Sequence, residues 1–223
     1  MIQVFMCCEG VTDFEPICAF MRKAVCYPEI DVIRKTQSEL RNETYLLDNR
    51  RGIHAGYTFV DRLAMTAKKA NCKHIAYHQD ADGSYADVYK NVTEWLSKYA
   101  GTYFCLAIVP KEMVESWLLA DKQAYAAVFG SEPKRPALPK EPEKIWGKDN
   151  DSKSNYPKNV MRRVLEQYRK RPHREIREIY TEIAEQSNID TLKTRCPVSF
   201  ARFYDDLQGF MSTVTNGGTH AHS

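Results

Sequence analysis

Ile2-Gln3-Val4-Phe5-Met6-Cys7-Cys8-Glu9-Gly10-Val11-Thr12-Asp13 opens the chain with a strand-length apolar run that ends on an acid, a glycine and a second acid. Only Gln3 interrupts the apolar residues from Ile2 to Cys8. A run that does not alternate suits a strand covered on both faces, as in a parallel sheet. Behind it, Asp13 to Cys26 reads as a helix, and Ile30 to Ile33 as a second, weaker strand.

The same alternation continues outward. Val60, Leu63, Ala64 and Ala67 keep the i, i+3, i+4, i+7 spacing of a half-buried helix. His74 to His78 is the next strand, and Val88, Val92, Trp95, Leu96 and Tyr99 mark the next helix. Thr102 to Val109 is the most strand-like run and Pro110 closes it; Glu112 to Ala120 is helical by composition. Glu39 to Tyr57, polar and broken by Gly52 and Gly56, stays open. Strands alternating with helices predict an α/β fold, a mainly parallel Rossmann-like sheet flanked by helices, with a helical C-terminal part.

The expected organisation is an α/β core over 1–129 and a Pro-rich charged loop over 130–157. A helical region over 158–215 packs on the core, and 216–223 forms a flexible tail. The loop carries Pro133, Pro136, Pro139, Pro142 and Pro157, and Trp146 within it is expected to dock. Asn159 to Lys170, the set Ile176, Ile179, Tyr180 and Ile183, and the set Phe203, Leu207, Phe210 and Met211 mark helices; Ser199 is placed as N-cap of the last.

Composition excludes some classes. With 43 % hydrophobic and 27 % charged residues in 223, the chain is neither disordered nor fibrous. A net charge of +3 does not by itself announce a nucleic-acid binder. The charge is uneven, however: 14 Lys/Arg stand against 8 Asp/Glu between Ser131 and Tyr180. A basic segment beside an acidic body fits a phosphate-holding surface next to a metal site, and a solvated helix face explains the same charges. Seven cysteines without a CxxC pair read as reduced thiols of a cytoplasmic protein. No run reaches the roughly 20 apolar residues of a membrane span. The start lacks the basic leader of a signal peptide. The tail histidines His220 and His222 are weak metal ligands at most.

Ligands of an open parallel sheet sit beyond the carboxyl ends of its strands. Glu9, Gly10, Thr12 and Asp13 follow the first strand; Asp80, Asp82 and Gly83 follow the third; Lys111, Glu112 and Glu115 follow the fourth. Carboxylates crowded together raise one another's pKa unless a cation joins them, and hard oxygen donors suit Mg²⁺ or Mn²⁺. An extended segment points Asp80 and Asp82 to one side, and Glu112 and Glu115 share a helix face. The plain alternative is helix capping by Asp13, Glu112 and Asp82. His78, two before Asp80, reads as a strand histidine satisfied by a neighbour rather than a zinc ligand. No Walker A, GxGxxG or GxSxG pattern is present.

Glu9-Gly10-Val11-Thr12-Asp13 after a first strand and Asp80-Ala81-Asp82-Gly83 after a later one resemble the Toprim domain of topoisomerases, primases and OLD-family nucleases. The segment Pro110 to Asp121, with Ile183-Ala184-Glu185 and Cys196-Pro197-Val198-Ser199-Phe200, is similar to small stand-alone Toprim-like proteins associated with bacterial defence. The resemblance implies Glu9 as metal ligand or general acid/base, Asp80 and Asp82 on Mg²⁺ (or Mn²⁺), and Glu112 or Glu115 completing the site. The nuclease branch's basic residue falls on Lys111, with Lys153 and Lys158 as alternatives. Lys153, Lys158, Arg162 and Arg163 are the candidate nucleic-acid contacts; Arg169, Lys170, Arg171 and Arg174 extend that stretch. The implied activity is a Mg²⁺-dependent phosphodiesterase or nuclease on DNA or RNA, serving in anti-phage or mobile-element defence. The alternative is a metal- or nucleic-acid-binding effector subunit of an ATPase-containing complex, and a small-molecule phosphotransferase or phosphatase ranks third. An ATPase partner and a homodimer are the further partner expectations.

Overall fold

Along β1 (Ile2–Cys8), Val4, Met6 and Cys8 pack into one apolar layer while Phe5 and Cys7 pack into another. Both faces of the strand are therefore covered, which is why its sequence does not alternate. The computed structural model describes residues 2–25, 30–50, 57–168 and 174–217, with the backbone only for 45–50 and 214–217.

Three further strands join β1: β2 (Ile30–Thr36), β3 (His74–His78) and β4 (Phe104–Ile108). The order is β2-β1-β3-β4 and every pairing is parallel, with Val4 opposite Val32, Phe5 opposite Ile75, and Ala76 opposite Leu106. The chain leaves β1 towards one edge and returns to β3 on the other side. The strand order thus reverses between β1 and β3, and such a switch point opens a crevice at the carboxyl ends of the two strands.

The helices are α1 (Phe14–Val25), α2 (Gln37–Arg50), α3 (Phe59–Lys69), α4 (Tyr85–Ser97), α5 (Val114–Leu118), α6 (Lys122–Phe129), α7 (Pro157–Glu166), α8 (Ile176–Gln186), α9 (Ile189–Arg195) and α10 (Phe200–Gly217). Helices α3 and α4 cover one face of the sheet. Helix α1, with the C-terminal helices α8 and α10, covers the other in one continuous apolar cluster. Its centre is aromatic: Trp117 stacks on Phe203 at 5.2 Å and meets Phe20 and Phe200 edge-on at 6.0 and 5.2 Å. Each such pair adds about 0.5–1.5 kcal/mol beyond the area it buries. Here α1, α5 and α10 are locked together, which holds the segment after β4 against the C-terminal helices.

Several details differ from the sequence expectation. The open stretch from Glu39 begins as helix α2, amphipathicity having been too weak to reveal it. Residues 51–56 of that stretch lie outside the described residues, as do Cys26, Arg169–Arg171 and the tail from 218. Helices α6 and α9 lie where no helix was expected. Asp121 and Asn188 cap them, accepting from Gln123 N–H and Thr191 N–H at 2.9 Å each. Trp146 does not dock: it is 67 % exposed. What anchors the Pro-rich segment instead is Glu143, in a single 3₁₀ turn (Pro142–Lys144). Its carboxylate accepts the N–H groups of Val198 and Ser199 at 2.9 and 2.6 Å, capping α10 from outside. Ser199, expected to cap with its own hydroxyl, donates it to Glu143 and accepts from Trp117 Nε1 at 2.8 Å.

The six described cysteines are free thiols. Burial pushes Cys7 and Cys18 up to about 12 and Cys105 up to about 11, so they stay protonated and inert near neutral pH. Among the described residues no helix is long and apolar enough to cross a membrane.

Candidate active site

Glu9 and Asp13 follow β1, Asp80 and Asp82 follow β3, and Glu112 and Glu115 follow β4, at the carboxyl ends of the parallel strands. The turn after β1 is built around Asp13. Its Oδ2 accepts Gly10 N–H at 2.9 Å, its Oδ1 accepts the Thr12 hydroxyl at 3.3 Å, and its carbonyl accepts Ile17 N–H at 3.1 Å to start α1. A Cβ at Gly10 would stand 2.4 Å from Asp13 Oδ2. The glycine is therefore required by the aspartate folding back on it. The turn leaves Glu9 exposed and Asp13 buried.

The end of β3 is tied to both neighbours. Glu9 Oε2 accepts Asp80 N–H at 3.2 Å, linking β1 to β3. On the other side, Gln79, Ala81 and Asp82 donate their N–H groups to the carbonyls of Ile108, Pro110 and Glu112 at 3.1, 3.2 and 3.3 Å. Asp82 has φ +43 and Gly83 φ +109, so the chain turns at Asp82 rather than running on extended. The expectation that Asp80 and Asp82 point to one side of a strand fails for that reason. Asp80 is drawn inward, its side chain 9 % exposed, while Asp82 is exposed.

Glu112 and Glu115 are likewise not on one helix face. Helix α5 begins at Val114, so Glu112 precedes it, and both acids are buried, at 7 % and 2 % exposure. Burial raises the Glu112 pKa, Lys111 pulls it down and Asp82 adds to the rise. Burial drives Glu115 up to about 8, against the pull of Lys158 and with the help of Asp13 and Asp80. Its Oε2 has no hydrogen-bond partner.

His78 lies under these acids, fully buried at the end of β3. Its Nδ1 accepts Glu9 N–H at 3.4 Å, which leaves the ring proton on Nε2, 3.2 Å from Asp80 Oδ1. The two atoms lack the alignment of a hydrogen bond, and both are buried without one. Asp13 Oδ2 lies 4.0 Å from Nδ1. Burial lowers the His78 pKa, but Asp80, Asp13 and Glu9 outweigh it and the net shift is upward.

Asp80 is therefore the hub of two acidic groups. Outward, burial raises Glu9 and Asp82, and the charge of Asp80 raises each further. Inward, Asp80 and Asp13 act on Glu115. One cation offsets the inner group: Lys158. Burial lowers its pKa, yet Glu115, Asp80, Tyr156 and Asp13 together raise it.

Lys158 owes its place to the loop before it. Asn159 Nδ2 donates to the carbonyls of Lys148, Asp149 and Asp151 at 3.2, 3.0 and 2.9 Å, and Arg163 donates to the carbonyls of Ser152 and Ser154. Pro157 starts α7, whose missing N–H costs nothing in the first turn. The loop is thus wound onto α7, and Lys158 is turned towards the crevice.

The other predicted basic residues sit differently. Lys153 and Arg162 are exposed, Arg163 is committed to the loop, and half-exposed Lys111 acts on Glu112 rather than on Asp80. The sequence ranks Lys111 ahead of Lys158 and reads Asp13 as a cap and His78 as a strand histidine; the structure sets Asp13 and His78 beside each other and brings Lys158 to Glu115, Asp80 and Asp13.

Among the described residues no three His, Cys, Asp or Glu side chains converge closely enough to form a ready cation cage. The donor chemistry nevertheless suits a hard cation: carboxylates follow three strand ends, Glu115 Oε2 is buried without a hydrogen bond, and Asp80 Oδ1 faces only His78 Nε2 at 3.2 Å. No protein-family model, curated protein or solved structure matches the chain.

Proposed function

We propose that this chain is a Toprim-like, Mg²⁺- or Mn²⁺-dependent phosphodiesterase acting on DNA or RNA, with its reaction centre at the β1–β3 crevice. The observation that supports the reading is the placement of Asp80 between Glu9, which accepts its backbone N–H, and the buried Glu115, whose pKa its charge helps to raise. Crowded carboxylates with Lys158 and His78 to offset them are costly to keep, and a divalent cation would relieve that cost.

Glu9 and Asp80 would hold the cation, with exposed Asp82 at the outer side and Glu115 and Glu112 behind them. A bound Mg²⁺ supplies charge neutralisation on the phosphodiester and on the departing oxygen. The chain's residues do the rest. Glu9, its pKa raised by burial against the pull of the Asp80 N–H bond, is suited to take a proton from an attacking water. Lys158 is suited to hold a phosphate oxygen opposite the carboxylates. His78 holds the backbone of Glu9 and faces Asp80, so it positions both acids without reaching the substrate. Service in defence against phage or mobile elements, in the cytoplasm, extends the same resemblance.

The test is calorimetric Mg²⁺ and Mn²⁺ binding by the wild type and by Asp80→Asn/Asp82→Asn. It is paired with cleavage of plasmid, single-stranded DNA and RNA. Binding and cutting in the wild type, both lost in the variant, support the reading. Binding without cutting replaces it with the effector-subunit reading. No binding at all removes both.

A further inference from the structure

Glu9 borders a second feature that the acidic hub does not use. On the side of the crevice away from Asp13, a cavity of about 320 Å³ opens at the ends of β1 and β3. Four aromatic residues line it: Tyr57, Phe59, Tyr77 and Trp95. Gln37 and Gln79 add carboxamides to its wall, each able to donate and accept hydrogen bonds. The walls are held by structure outside the cavity. Thr58 and Asp61 form a capping box that starts α3, Thr58 N–H donating to Asp61 Oδ2 at 2.6 Å, which fixes the turn between Tyr57 and Phe59. Tyr77 on β3 meets Trp95 of α4 edge-on at 6.4 Å. At the rim, the guanidinium of exposed Arg41 lies 5.0 Å over the Phe59 ring.

The size is at the small end for ligand pockets, which run about 300–1,000 Å³, so one planar group fits and a base pair does not. Aromatic walls with a few carboxamides are what stacks and reads a nucleobase edge, and an arginine on an aromatic face at the rim is what meets the adjoining phosphate. A base inside a duplex is already stacked and cannot enter. Glu9 is shared by the cavity and the acidic hub, so a base seated here places its own phosphate beside Glu9 and Asp80.

Resting on the phosphodiesterase reading, we infer that this cavity is a base-binding subsite and that the substrate is a single strand of nucleic acid, with one unpaired base held between Tyr57, Phe59 and Trp95.

The experiment measures binding in metal-free buffer, where no cleavage occurs. The probes are a fluorescent oligothymidylate, the same strand with abasic residues, a duplex of equal length, and thymidine monophosphate as competitor. The wild type is expected to bind the base-bearing strand about tenfold more tightly than the abasic one, the value of one base–aromatic stack. Tyr57→Ala and Phe59→Ala are each expected to bring the ratio of base-bearing to abasic affinity down to about one. Equal binding of base-bearing and abasic strands by the wild type overturns the subsite whatever the variants do. So does duplex binding as tight as that of the single strand, or competition by the mononucleotide at the oligonucleotide's own affinity. The reaction centre is tested separately: metal-dependent cutting without a base preference removes the subsite and leaves the phosphodiesterase standing, whereas a base preference without cutting does the reverse.

Discussion

The carboxylate of Glu9, one residue past β1, accepts the backbone N–H of Asp80, two residues past β3, at 3.2 Å. This bond spans the point where the strand order reverses, so the two ends that should splay apart are held at a fixed separation. The carboxylate of Asp80 is thereby turned towards His78, Asp13 and Glu115 while Glu9 keeps its other oxygen for the crevice. A change at one of these residues is felt by the others through a few ångströms of low-dielectric space.

Glu9→Gln keeps the acceptor for Asp80 N–H and removes the charge. Because Glu9 is exposed, its stability cost is expected to stay within about 0.5 kcal/mol by thermal melting. Metal-dependent cleavage is expected to fall by a factor on the order of 10² or more, the worth of a general base. Full activity in the variant would assign the proton transfer elsewhere.

Glu115 carries a pH signature. Its folded pKa is raised to about 8, so between the ordinary carboxylate range and pH 8 the folded chain holds a proton that the unfolded chain has released. Stability from this group therefore falls as pH rises through that window. Glu115→Gln is expected to flatten the slope and to raise the melting temperature at pH 8.5 by at least about 3 °C. An unchanged slope between pH 5 and 8.5 would show that Glu115 is ionised in the fold.

Lys158→Met removes the cation that offsets Glu115, Asp80 and Asp13. The expected result is a loss of about 1–2 kcal/mol at pH 8, reduced on acidification as Glu115 takes its proton. Denaturant melts at pH 5 and pH 8 read it directly. Lys158→Arg is expected to keep the stability and lose part of any phosphate affinity, since a planar fork is not a point charge.

Glu143→Ala strips the partner from two backbone N–H groups and from the buried Ser199 hydroxyl that also holds Trp117. A loss of about 2–4 kcal/mol is expected, or roughly 5–15 °C in melting temperature. Near-ultraviolet circular dichroism should show a change at Trp117. Wild-type stability in this variant would mean that water replaces the cap.

Gly10→Ala drives a Cβ into Asp13 Oδ2. The turn must open, at a cost of about 1–3 kcal/mol, and Asp13 must leave its place beside His78. Gly10→Ala/Asp13→Ala is expected to recover stability relative to the single variant, a coupling that a thermodynamic cycle measures.

The sequence alone determined the parallel sheet. Ile2–Cys8, His74–His78 and the apolar run before Pro110 are buried on both faces, so composition identifies them without tertiary help. The carboxylates at three strand ends were legible for the same reason, because strand ends are where an α/β fold puts its ligands. Weakly amphipathic α2, with its polar composition, and the short helices α6 and α9 were not, since caps and long-range packing decide them. Only the tertiary structure decided which residues share the crevice. Asp82 turns away on a positive φ, Glu115 is buried as α5 docks through Trp117 on Phe200, and Lys158 sits in the first turn of α7, where Asn159 ties down the preceding loop. Local spacing fixes where a side chain sits on its own element. Burial, and therefore charge state, depends on what packs over it from elsewhere in the chain, and no local pattern encodes that.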